Sequence, residues 1–398
     1  MTDDALTAPA ARRGLPGVPE DGLLASVLLS FLATAGLFYV NIMAALVDGL
    51  ISGAGLTAKQ AGLVASANVY GAAVGALAAV FVIRRLPWRP TAITVLLGLI
   101  TIDLASTLLR DPQVLIAVRF LHGLVGGLLV GVAFAVIART KSPDRTFGML
   151  LVVQFGLGGL GLMFLPRLVP VFGPGVLFIA LAAFSLATLA MTPFLGAYEA
   201  APKVAASGPK APTRWIPLVL VFAAIFLFQA ANMGLAAYII GLGKGAGLEL
   251  GFITDTLGAA NWIGALGSVL VVVMGARFGR FWPIVAGLVL TLVGAWAFHF
   301  SELPWVYLVA NIGTAITWAF VIPYLLGMSA AFDKAGQMAA LAGFFSKMGL
   351  ASGPAMAAFV AAGGRYDGLI NISVLGLALS GLAAIAPALA LDRQRPPG

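Results

Sequence analysis

Apolar stretches of about 18 residues or more recur along almost the whole chain, and short polar segments separate them. A helix of this length crosses a hydrocarbon layer of about 30 Å. The pattern therefore predicts an all-α membrane protein with about twelve transmembrane helices. The predicted spans are 23–50, 60–83, 90–109, 114–138, 147–165, 175–197, 215–241, 251–275, 283–301, 305–330, 338–362 and 368–391, of which the fifth is short and rich in glycine.

A polar segment after the sixth span divides the chain into two halves. We expect a disordered cytoplasmic tail, a six-helix bundle, a cytoplasmic linker, a second six-helix bundle and a short cytoplasmic tail, at 1–22, 23–197, 198–214, 215–391 and 392–398. A weak repeat supports two pseudo-symmetric bundles, because Gly75-Ala76-Leu77 recurs as Gly264-Ala265-Leu266, 189 positions later. Composition bias is the alternative explanation, since glycine and alanine are common in membrane helices.

Composition and charge set the class of protein and its orientation. With 61% hydrophobic and 10% charged residues, the chain has too little polar surface for a soluble protein of 398 residues. The net charge of +8 comes from lysines and arginines in short loops, mostly on the side of both termini. The positive-inside rule then predicts cytoplasmic termini in the cell (inner) membrane and explains the charge without nucleic acid. The absence of cysteine excludes thiol chemistry.

Two short motifs carry a family resemblance. The segment "RFLHG", from Arg119 to Gly123, and the following "SPDRTFG" resemble the fourth helix and the next loop of the major facilitator superfamily of secondary transporters. The resemblance implies cytoplasmic gate loops. Their residues would be Arg84, Arg85, Arg277, Arg280, Asp144 and Arg145. The chain departs from the family where Ala79 and Ala276 replace the usual loop aspartates.

Two cations lie deep in predicted spans. Arg119 is in the fourth span, where an arginine costs about 2.5–3.5 kcal/mol and so needs a partner or a wet cavity. We expect it to bind substrate; the alternative is a structural pair with Asp103 in the third span. Lys347 lies in the eleventh span and is expected to bind substrate as well. Its alternative is a bond to carbonyls freed near Pro354.

Uncharged polar groups near the middle of several spans complete a candidate substrate chamber at the interface of the two halves. Each one could instead be an interhelical hydrogen bond. For proton coupling the candidates are Asp48 and His122, although Asp48 could simply cap a helix end. The uncharged candidate substrate ligands are Asn41, Gln154, Gln229, Asn232 and Asn311.

These features predict a secondary active transporter of a small organic solute that works by alternating access and is coupled to protons. Two deep cations without a central carboxylate favour an organic anion, most simply a carboxylate. The alternatives are a proton-coupled exporter of hydrophobic compounds and a non-transporting receptor or assembly factor of the same fold. We expect no enzyme activity, no cofactor and no metal, since the loops are too short for a catalytic domain. The expected partners are the substrate, protons and the bilayer, with the protein a monomer.

Overall fold

The structure is a computed structural model, and it describes residues 17–82, 87–198, 215–275, 277–332, 337–361 and 364–394. The described part of the chain is α-helical apart from short loops and two 3-10 turns. The helices are α1 (Leu23–Ala35), α2 (Phe38–Asn41), α3 (Met43–Ser52), α4 (Ala58–Val82), α5 (Trp88–Ser106), α6 (Pro112–Ile137), α7 (Pro143–Phe172), α8 (Gly175–Met191), α9 (Trp215–Gly245), α10 (Leu250–Met274), α11 (Phe281–Ala297), α12 (Pro304–Phe332), α13 (Gln337–Val360) and α14 (Asp367–Asp392).

Ten of the described helices are long and apolar enough to cross a membrane. The first predicted span is divided among α1, α2 and α3, and α13 occupies the eleventh. The prediction of about twelve transmembrane helices in two bundles is thus confirmed. The fifth span was predicted too short, because α7 runs for 30 residues, from Pro143 to Phe172. The predicted span stops before Pro166, but α7 continues through Pro166 and Pro170.

The break in the first span has a packing cause. Gly36 follows α1 and lies directly against α6, where an added Cβ would come within 2.3 Å of the carbonyl oxygen of Gly126. The chain then makes the single turn α2 and resumes as α3 after Ile42. This irregular segment carries Leu37, Val40 and Asn41 to the centre of the molecule.

A glycine seam joins α4 to α6 and makes the first half rigid. A Cβ added at Gly123 would lie 1.8 Å from the carbonyl oxygen of Asn68, and one at Gly127 would lie 2.2 Å from that of Ala72. A Cβ added at Gly71 or Gly75 of α4 would likewise lie 2.0 Å from a backbone carbonyl oxygen of α6. Small residues four apart allow this approach in membrane helices.

The two halves repeat the same order of helices. The helices α10, α12 and α14 begin at residues 250, 304 and 367, each 192 positions after α4, α6 and α8, which begin at 58, 112 and 175. The offset of 189 read from the sequence is therefore about one helical turn too short. We call the end of the molecule that carries residues 17–22 and 192–198 the termini face. The opposite end, with the loops 53–57, 107–111, 246–249 and 301–303, is the distal face.

Candidate functional site

A central cavity of about 340 Å³ lies between the two halves. The first half contributes residues from the broken first span, α4 and α7, and the second half contributes residues from α9, α10, α12 and α13. Most of its wall is apolar, as in many small-molecule sites. The polar groups that line it are Asn41, Asn68, Gln154, Asn232, Asn261, Asn311, Thr314 and Lys347.

Lys347 is the charged residue of this lining. No described residue forms a hydrogen bond or an ion pair with it, and no carboxylate lines the cavity among the described residues. Lys347 is half-buried, and a cation that is partly withdrawn from water is stabilised by an opposite charge. The cavity is therefore electrostatically suited to an anion.

Gln229 was expected to contact substrate, but the structure places it behind the cavity wall. Its side chain is 2% exposed. The indole Nε1 of Trp318 donates to Gln229 Oε1 at 2.7 Å, and Gln229 Nε2 donates to Ser346 Oγ at 2.8 Å. Gln229 thus ties α12 to α13 next to Lys347 and holds Trp318 in position as part of the wall.

Arg119 lies in the ion pair that the sequence left open as an alternative. Its Nη1 is 2.7 Å from Asp103 Oδ1, and both side chains are 0% exposed. The guanidinium also donates to the hydroxyl of Ser106 and, at 3.1 Å, to the carbonyl of Ile102, while Phe178 packs on its face with the ring centre 4.7 Å away. All these partners belong to the first half, so in this structure Arg119 does not line the cavity.

His122 joins this pair to the cavity. Asn68 Nδ2 donates to His122 Nδ1 at 2.7 Å and also to the carbonyl of Arg119 at 3.2 Å. Because Nδ1 accepts, the proton of a neutral ring lies on Nε2, which faces Asp103 at 3.2 Å. Asn68 lines the cavity, but the sequence analysis missed it. Its signal was a single carboxamide in the middle of the apolar α4.

Acid–base pairs close the distal face between the halves. Lys244 Nζ donates to Asp48 Oδ1 and Oδ2 at 2.7 and 2.9 Å. Arg167 of α7 pairs with Asp255 of α10 and donates to Thr254 Oγ1 at 2.7 Å. Among the described residues, every hydrogen bond between the halves lies at mid-depth or near the distal face. The described hydrogen bonds thus join the halves at the level of the cavity and on its distal side.

The predicted gate-loop residues lie at the termini face where the structure describes them. Arg84 and Arg85 are outside the described residues. Asp144 and Arg145 are exposed in the first turn of α7, and Arg277 is exposed before α11. The backbone amide of Arg280 donates to Asp392 at the end of α14, at 2.8 Å. The described bonds of these residues stay within one half, which leaves a gate role as a proposal.

The fold matches those of known membrane transporters. A peptide transporter aligns with a TM-score of 0.72 and 14% identity, covering 94% of this chain and 97% of that one. The nucleoside transporter NupG aligns at 0.70 and 13%, covering 93% and 100%. A D-xylose–proton symporter aligns at 0.68 and 12%, covering 94% and 98%.

Comparison by sequence gives a family but no individual relative. No curated protein matches the chain. The family model of the Major Facilitator Superfamily matches residues 24–354, which is most of its length. Membership implies a transporter of small molecules rather than an enzyme, and it agrees with the multi-pass helical fold. The chain belongs to the Major Facilitator Superfamily.

Proposed function

We propose that this protein is a secondary active transporter that carries a small organic anion by alternating access and is coupled to protons. The observation that supports the anion is Lys347, an ammonium without a described partner in a cavity walled by both halves. The proposal places the carboxylate of the substrate at Lys347. Arg119, which is paired with Asp103, serves to hold the first half together.

The proposal that the substrate is an anion is tested with two ligands of nearly the same size, of which one is charged and one is neutral. We expect 3-phenylpropionate to raise the melting temperature of the purified protein more than 3-phenylpropanamide does, since a ligand that binds the folded state stabilises it. Lys347→Gln should remove this difference, and Lys347→Arg should retain most of it. The control is Lys59→Gln, because Lys59 lies on the distal face over the ring of Phe359, away from the cavity.

Equal stabilisation by acid and amide would contradict an anionic substrate. That outcome would favour the alternative, an exporter of hydrophobic compounds. The mostly apolar wall of the cavity is consistent with such a substrate. Ligand binding without flux in vesicles would instead favour a receptor of the same fold.

Proton coupling is proposed to act through the Asp48–Lys244 pair. Protonation of Asp48 removes the negative charge that holds Lys244, so it weakens the distal contact between the halves. In proteoliposomes, an imposed pH gradient should drive substrate uptake, and a protonophore should abolish this drive. Asp48→Asn should uncouple transport from the gradient. A rate of transport that the protonophore does not change would contradict proton coupling. Full coupling in His122→Gln would remove His122 as a candidate.

The proposed orientation places both termini and the linker in the cytoplasm, so that the termini face is cytoplasmic and the cavity is closed to the outside. The native chain has no cysteine, which makes single-cysteine labelling direct. In intact cells Lys203→Cys should resist an impermeant thiol reagent, whereas Arg110→Cys on the distal face should react. The reverse pattern would overturn the orientation.

A further inference from the structure

The asparagines of the second half turn their oxygens toward the cavity. Asn232 Nδ2 donates to the carbonyl of Phe228 at 2.8 Å, and Asn311 Nδ2 donates to the carbonyl of Tyr307 at 2.8 Å. A backbone carbonyl only accepts hydrogen bonds, so the amide nitrogen must face it and the side-chain oxygen must point away. Both residues line the cavity, and their side-chain oxygens are directed away from these backbone carbonyls.

The same arrangement occurs where the two halves meet. Asn41 Nδ2 donates to the carbonyl of Gln154 at 3.4 Å, and Asn261 Nδ2 donates to the carbonyl of Phe155 at 3.0 Å. Both asparagines lie close to Gly158. A Cβ added to Gly158 would be 2.8 Å from Asn261 Nδ2 and 3.3 Å from Asn41 Cβ.

The cavity therefore contains several side-chain oxygens that have no described hydrogen-bond donor. No described residue donates a hydrogen bond to the side-chain oxygens of these four asparagines. The hydroxyl of Thr314 also gives its proton to a backbone carbonyl, that of Ala310 at 2.7 Å. The side chains of Lys347 and Gln154 donate no described hydrogen bond, and each of the four asparagine amides keeps one N–H beyond the one that it donates. The site is thus one cation facing a set of carbonyl-type oxygens.

We propose that the substrate is an organic acid that also carries N–H or O–H donors, as in a hydroxy acid or an amino acid. This inference rests on the proposed function, because it places the carboxylate at Lys347. The hydroxyl or amino group donates to the oxygens of Asn232, Asn311 and their neighbours. A simple acid of the same size would bury these oxygens without partners, and an unpaired buried acceptor is penalised more than a lost contact.

The wild-type protein tests this with ligands of constant charge. Two matched pairs are titrated by calorimetry, propionate against lactate and 3-phenylpropionate against 3-phenyllactate, with 2-methoxy-3-phenylpropionate as the analogue whose oxygen cannot donate. We expect the hydroxy acid of the better-binding pair to have a dissociation constant about tenfold lower than its parent acid, as one to two good hydrogen bonds allow. The methoxy acid should bind no better than the parent. Equal affinities of parent and hydroxy acid, or of hydroxy and methoxy acid, would overturn the inference.

Variants locate the effect. Asn232→Leu and Asn311→Leu remove an oxygen at nearly constant volume, so each should reduce the ratio of the affinities for the hydroxy acid and the parent acid. The control is Gln113→Leu, an exposed carboxamide in the first turn of α6 at the distal face. If both asparagine variants still prefer the hydroxy acid, these oxygens do not accept a hydrogen bond from the hydroxyl group of the substrate.

The two proposals fail in different ways. If the donor inference alone is wrong, all acids bind with similar affinity and Lys347→Gln weakens every one of them. If the anion proposal is wrong, binding of the acids is absent or does not depend on Lys347, and the inference fails with it.

Discussion

Two acid–base pairs with the same bond length have opposite surroundings. Asp103–Arg119 lies inside the first half, with both side chains 0% exposed. Asp48–Lys244 joins the two halves near the distal face, with side chains 9% and 36% exposed. Both pairs have a nitrogen–oxygen distance of 2.7 Å. Geometry of the bond alone therefore does not tell which pair can open during a transport cycle.

The neighbours of each pair make the difference. Arg119 has further acceptors in Ser106 and Ile102, and Asp103 is also in contact with His122. Separating this pair would bury two unpaired charges and break a network within one rigid half. Lys244 extends from the end of α9 toward solvent and can exchange Asp48 for water. The distal pair is therefore the one suited to form and break as the halves move.

The largest expected effect is on the buried pair. Arg119→Leu leaves Asp103 as an isolated buried acid and should reduce the free energy of unfolding by about 3–5 kcal/mol. Denaturant titration in mixed micelles measures this loss. Combining Arg119→Leu with Asp103→Leu should recover most of the stability and also restore transport.

The matched control for this prediction is Arg110→Leu, since Arg110 is exposed on the distal face and its described hydrogen bonds go to the nearby carbonyls of Thr107 and Leu109. A single Arg119→Leu variant that is as stable as the control would mean that the pair is not structural. Loss of transport in the stable double variant would return Arg119 to the substrate site.

A smaller effect is expected at the distal pair. Asp48→Asn should change the free energy of unfolding by less than about 1 kcal/mol, because a partly exposed pair contributes little. The same amount of energy shifts the balance between closed and open distal states by up to about fivefold. The labelling rate of Ala236→Cys, a cavity position, by a reagent added from the distal side should rise accordingly.

Exchanging the two charges of the distal pair tests whether the pair itself controls the labelling rate. Asp48→Lys combined with Lys244→Asp should restore the slow labelling seen with the native pair. An unchanged rate in Asp48→Asn would show that the other distal contacts, including Arg167–Asp255, keep the halves closed without it.

The smallest effect is expected for a third pair, on the surface of the termini face. Lys141 donates to Asp21, and this hydrogen bond lowers the pKa of Asp21 below its ordinary 3.8 and raises the pKa of Lys141 above its ordinary 10.5. The stability from Asp21 is lost only as pH falls through its lowered pKa, and that from Lys141 only as pH rises through its raised pKa. Asp21→Asn should therefore show the same small difference in melting temperature from wild type at every pH between 5 and 9. A difference that varies within this range would contradict this interpretation.

The apolar pattern of the sequence was sufficient for the fold but not for its irregularities. Long apolar runs predicted the spans, because any helix in lipid needs that length. The break at Gly36 depends on the approach of Gly126 from another helix, which no local pattern contains. The full length of α7 was missed because prolines usually mark helix ends, whereas α7 begins at Pro143 and continues through Pro166 and Pro170.

For the candidate site, the depth of the polar residues could be predicted from the sequence, but the direction in which they face could not. Lys347 and Asn311 were found as polar groups in apolar spans, and both line the cavity. Gln229 has the same signature, but it faces Trp318 and Ser346 instead. Asn68 and Asn261 were missed although they line the cavity. Rotation of each helix about its axis is fixed by contacts with its neighbours, and a single sequence does not contain them.

The seam between α4 and α6 has a consequence for how this protein can adapt. Gly71 and Gly75 face α6, where any side chain would collide with backbone, while Asn68, Val69 and Ala72 on the same helix line the cavity. One stretch of helix thus combines positions that tolerate no change with positions whose change alters the cavity wall. Substitutions at Val69, which has no part in the described seam contacts or side-chain hydrogen bonds, can change the cavity wall over evolutionary time without loosening the packing of this half. Selectivity in this half can therefore evolve faster than its architecture.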